Sequence, residues 1–183
     1  MREDELKCLV HQFWSAIIQA RDAHQFEWDR TFDNFPWACC RDASDLLARF
    51  LYQKGYNTLS VYGDCQGSSH RWLVWDNGQV GEPETWRFED VVPSDVLPYY
   101  NVYGGNMSTP KAPYYRYTEG DIQDCVIIDI TADQFKDPPV FCDYWQPIRE
   151  KYTFIEAEKY EDLGTSRLER LYDIIINAIT SQT

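Results

Sequence analysis

Phe35-Pro36-Trp37-Ala38-Cys39-Cys40-Arg41-Asp42-Ala43-Ser44-Asp45-Leu46-Leu47-Ala48-Arg49-Phe50-Leu51 reads as an irregular approach that turns into a helix. Pro36 and the small Ala38 suit the loop. From Asp42 onward the apolar residues fall four apart, Leu46 with Phe50 and Leu47 with Leu51, which is helical spacing. Gly55, after Lys54, is a stop signal. Two cysteines sit where the helix starts. Unpaired backbone N–H groups and the positive end of the helix dipole favour a thiolate there. The same N–H groups suit an oxyanion. The plain alternative is that Cys39 and Cys40 are small buried hydrophobes. Periodicity does not choose between the two, because both border the apolar face.

Two further segments carry chemistry. Ser69 to Gly78 reads as a strand that opens with His70 and closes at the Asn77-Gly78 turn. Val126 to Thr131 is a β-branched run broken by one carboxylate, Asp129, and a charge inside such a run needs a partner. Asp133 is the nearby alternative, but it lies beyond the run and suits a turn. The chain order is therefore cysteine on a helix, histidine on a strand and aspartate on a later strand.

In that order the three segments resemble the transglutaminase-like branch of papain-type cysteine enzymes. The resemblance rests on Ala38-Cys39-Cys40-Arg41-Asp42-Ala43-Ser44, His70-Arg71-Trp72 and Asp129-Ile130-Thr131. It selects Cys40 over Cys39, because Asp42 and Ser44 then follow at the family's spacing. Ala38 stands where the family has glycine, and Arg71 replaces a small residue. The resemblance implies an α+β fold, with an antiparallel sheet, the nucleophile helix packed against it and helices at both termini. It also implies a catalytic triad of Cys40, His70 and Asp129, and no cofactor. Asn34 is a further oxyanion-donor candidate on sequence distance alone.

The implied activity is thiol-dependent hydrolysis or acyl transfer at an amide bond of a protein or peptide, as a cysteine peptidase, amidase or deamidase. The alternatives are a protein-glutamine transglutaminase, or a non-catalytic acidic protein-binding module that keeps the fold.

Length and composition bound the rest. The chain has 183 residues, 44% hydrophobic and 16% aromatic, which suits one globular domain over residues 1–183. Thirty acidic against seventeen basic residues give a net charge of −13. That argues against a nucleic-acid footprint, which needs a basic surface. No apolar run approaches the roughly 20 residues of a membrane span, and the start shows no signal-peptide core. A cytoplasmic, reducing setting is expected, with free thiols at Cys8, Cys39, Cys40, Cys65, Cys125 and Cys142. No Cys-x-x-Cys pair is present, so the spacing fits zinc poorly.

The remaining elements follow from pattern. Glu3 to Arg21 is an amphipathic helix. Asn57 to Gly63 and Lys151 to Ala157 are strands. A last helix starts near Ser166, with Ser166 and Glu169 as a capping box. Glu82 to Gly120 is an insertion dense in proline and tyrosine, expected to fold over the cleft.

Overall fold

The computed structural model describes residues 2–81, 84–86, 114–122, 124–144, 152–159 and 165–181. The chain begins with helix α1 (Arg2–Asp22), a short α2 (Arg30–Asp33) and α3 (Cys40–Gln53). Strands β1 (Thr58–Cys65) and β2 (Ser68–Trp75) follow, then the short β3 (Glu84–Trp86) and β4 (Tyr114–Arg116). The helical turn α4 (Glu119–Ile122) leads to β5 (Val126–Asp129) and a 3-10 turn at Ala132–Phe135. Strands β6 (Phe141–Tyr144) and β7 (Tyr152–Lys159) and the helix α5 (Ser166–Thr180) complete the order.

Five strands form a curled antiparallel half-barrel in the order β6-β5-β2-β1-β7, flanked by helices. The architecture is α+β, as expected. β3 and β4 pair separately as a two-stranded ribbon. β2 lies at the centre, so its residues Trp72 to Trp75 are apolar without alternation and buried on both faces. Leu73 and Trp75 join Val126, Ile128 and the inner faces of α1, α3 and α5 in one core. Trp72 and Val74 face the other way, with Val61, Ile127, Tyr117 and Tyr152.

The helix ends are fixed by polar ties. Asp29 caps α2, accepting from the N–H groups of Thr31 and Phe32. Arg167 at the start of α5 then clamps three helices: Nε lies 2.5 Å from Asp29 Oδ2 and Nη1 lies 2.6 Å from Asp42 Oδ2. Asp42, one of the residues behind the family resemblance, is thus spent on holding α3 to α5. The cap of α5 is Thr165, whose hydroxyl accepts from Leu168 N, not the expected Ser166. Glu169 pairs with Arg49 at 2.7 Å instead of closing a capping box.

Most of the expected insertion, with Tyr99, Tyr100 and Tyr103, lies outside the described residues. At its end, Tyr117 is buried in the second core.

Candidate functional site

β5 stops pairing with β2 at Leu73↔Ile128. The β2 edge beyond that point, around His70 and Arg71, is not covered by β5. An antiparallel strand exposes N–H and C=O of the same residue on one edge, and α3 supplies partners there. Ser44 Oγ donates to the Arg71 carbonyl at 3.3 Å. Cys40 lies one turn before Ser44 on the same helix face, and the Arg71 N–H stabilises its thiolate. The small residue Ser44 therefore seats the start of α3 on the strand edge next to His70.

His70 and Asp129 are both buried, and Nε2 lies 2.7 Å from Oδ2. Asp129 holds more than the histidine. Tyr152 donates its hydroxyl to Oδ2 at 2.9 Å. Thr131 donates its backbone N–H at 2.8 Å and its hydroxyl at 2.9 Å to Oδ1. A buried carboxylate needs such partners. The ring of His70 is enclosed by Phe135, edge-on at 4.8 Å, and by Trp72 and Tyr152 near 6 Å. Burial pulls the imidazole pKa down, but the bond to Asp129 and the proximity of Cys40 outweigh it and raise the value to about 9. The shift favours the charged ring at neutral pH.

The cysteines separate clearly. Burial raises the Cys40 pKa, yet His70 and the N–H groups of Arg71 and Arg41 outweigh burial and leave it lowered. Cys39 is buried, donates to the Pro36 carbonyl at 3.1 Å and has its pKa driven up by burial. Burial also pushes Cys125 up to about 11 and Cys142 up to about 12. Among the described residues no group of His, Cys, Asp and Glu is arranged to hold a metal ion.

Several expectations need correction. Asn34 is not an oxyanion donor: its amide nitrogen donates to the Arg30 carbonyl at 2.7 Å, on the surface of its own helix. Asp133, by contrast, lies on a turn as expected. It sits on the 3-10 turn with a buried oxygen that has no hydrogen-bond partner, and burial raises its pKa. Ala38 has a left-handed φ of 57°, a conformation costing a non-glycine residue about 1 kcal/mol. Ala38→Gly is expected to raise stability by about 0.5 kcal/mol, measured by urea denaturation.

The triad itself is the main correction. What closes with a hydrogen bond is a His70–Asp129 pair. Among the described residues no hydrogen bond from Cys40 to the ring stands beside that pair, so a Cys-His-Asp triad is not formed. Sequence reasoning also missed Tyr152 as a partner of Asp129, because the two are joined only by tertiary packing. Thr131 was legible, since an Asp-x-Thr run forms a local turn of this kind.

No family model matches the chain, and no match is found among curated proteins or solved structures. Because the triad is not formed, the assignment to a transglutaminase-like or papain-like cysteine hydrolase is corrected: the structure carries an α+β half-barrel with a buried His–Asp pair, and the peptidase, amidase and deamidase readings are not retained.

Proposed function

We propose that the chain is an acidic protein-binding module carried on this half-barrel, with a basic protein or peptide as its partner. The observation that carries the reading is Trp37. It is 60% exposed on the loop that enters α3, although tryptophan is ordinarily well buried. The backbone of the loop is held: Phe35 beside it is in the core, Arg21 Nη1 donates to the Phe35 carbonyl at 3.0 Å, and Trp37 N donates to Asn34 O at 2.9 Å. An exposed tryptophan on a held backbone suits a binding anchor, because its large ring supplies contact area at low conformational-entropy cost. Exposed Asp22, Glu27 and Asp33 stand in the same part of the chain. The net charge of −13 favours a partner of opposite sign and speeds its encounter. A reducing compartment belongs to the same proposal.

Isothermal titration with a Lys/Arg-rich peptide and a Glu/Asp-rich counterpart tests it. Binding is expected to the basic peptide alone and to weaken as salt rises. Trp37→Ala is expected to weaken it by about tenfold or more. Equal binding of both peptides, or a Trp37→Ala variant that binds as well as the parent, rejects the reading.

A further inference from the structure

The approach to α3 leaves two exposed side chains without partners among the described residues. Trp37 is 60% exposed, and among the described residues no ring or cation stacks on it. Asp33, at the end of α2, is exposed, and among the described residues its carboxylate makes no ion pair. The bond from Trp37 N to Asn34 O closes a turn, and such a turn brings the Cα atoms at its two ends within about 7 Å. Asp33 is the residue before that turn, so the bare indole and the bare carboxylate share one end of α2. Phe35 and Pro36, between the two, are buried, which holds their spacing. Arg30 and Arg41 are exposed in the same stretch, yet among the described residues neither pairs with Asp33 or stacks on Trp37. Trp28 shows the other state of an exposed tryptophan in this chain: the Arg170 guanidinium lies 3.9 Å from its ring centroid.

We propose that Trp37 and Asp33 together form a binding site for an arginine guanidinium of the basic partner. The inference rests on the partner proposed above and names the group it presents. The face of an indole ring carries negative charge density and attracts a cation laid on it. A guanidinium is planar and weakly hydrated, so it stacks on that face and keeps its N–H edge free. Asp33 accepts from that edge, because a carboxylate matches the guanidinium fork with two parallel N–H···O bonds. A lysine ammonium is compact and strongly hydrated, and it meets the same carboxylate as a point charge only. The site therefore selects arginine over lysine within basic segments of equal charge.

The test is isothermal titration of the full chain with two peptides of equal length and charge, one carrying arginine and the other lysine. The parent is expected to bind the arginine peptide about threefold tighter or more. Trp37→Leu keeps an apolar side chain but removes the ring face, and Asp33→Asn removes the charge. Each is expected to bring the ratio of the two affinities toward one. Asp173→Asn removes an exposed charge on α5 instead. It is expected to weaken both peptides alike and leave the ratio unchanged. Equal binding of the arginine and lysine peptides by the parent overturns this site while leaving the basic-partner reading in place. So does a ratio that Trp37→Leu or Asp33→Asn leaves unchanged, or one that Asp173→Asn lowers as much as they do. Binding of neither peptide rejects the partner reading, and the site with it.

Discussion

Asp129→Ala is expected to lower folding stability by about 3–5 kcal/mol, the usual cost of stripping one partner from a buried ion pair. Three residues lose their acceptor at once: His70, Tyr152 and Thr131. The imidazole then stays in an apolar shell of Trp72, Phe135 and Tyr152 with no carboxylate beside it. Chemical denaturation measures the loss. A cost under about 1 kcal/mol, the size of a surface pair, contradicts the assignment of Asp129 as the buried hub. Asp129→Asn separates charge from shape, because the amide oxygen still accepts from Thr131.

The same pair sets a pH dependence. The His70 pKa is raised in the folded protein to about 9, above its unfolded value of about 6.5. The stability it contributes is therefore fully present below about pH 6.5 and is lost as pH rises toward 9. In Asp129→Asn the loss over that window is expected to shrink, because the larger of the influences that favour the charged ring is gone. Urea midpoints at pH 6 and pH 9 for both proteins measure it.

Gly63→Val is expected to be nearly as damaging, at about 3 kcal/mol or more. Gly63 pairs with His70 across β1 and β2, and the β1–β7 register shifts between Tyr62 and Gly63. A Cβ built there runs into the Thr153 carbonyl and the Trp72 ring. The first is backbone and the second is a fully buried side chain, so neither yields without moving the sheet beneath His70. Gly67→Ala is the control: its Cβ meets nothing, although its φ of 84° adds local strain. A Gly63→Val variant no less stable than Gly67→Ala contradicts the close approach.

Long elements were legible because their periodicity is strong. α1, α3, α5 and the central strands all lie within a few residues of where the pattern puts them. β6 was not, for physical reasons. Phe141 to Tyr144 is four residues long, follows Pro138-Pro139 and pairs on one side only, with β5, so it is too short and too exposed to show alternation. The site was legible in its parts but not in its connections. Asp129 announced itself as a charge in an apolar run, and Thr131 lay within its local turn. Tyr152 is 23 residues away and reaches Asp129 only through the sheet. Asp42 matched a motif by spacing, yet it serves Arg167, 125 residues on. Spacing along a chain does not reveal which partner a carboxylate finds in the fold.

The central claim is that Asp129 holds His70 as a buried imidazolium beside the α3 start. The direct measurement is a pH titration of the His70 ring nitrogens by heteronuclear magnetic resonance, with His11→Gln and His24→Gln to assign the signals. The account expects both nitrogens protonated at pH 7 and a midpoint near 9. A neutral ring at pH 7, with a midpoint at or below about 6.5, contradicts it.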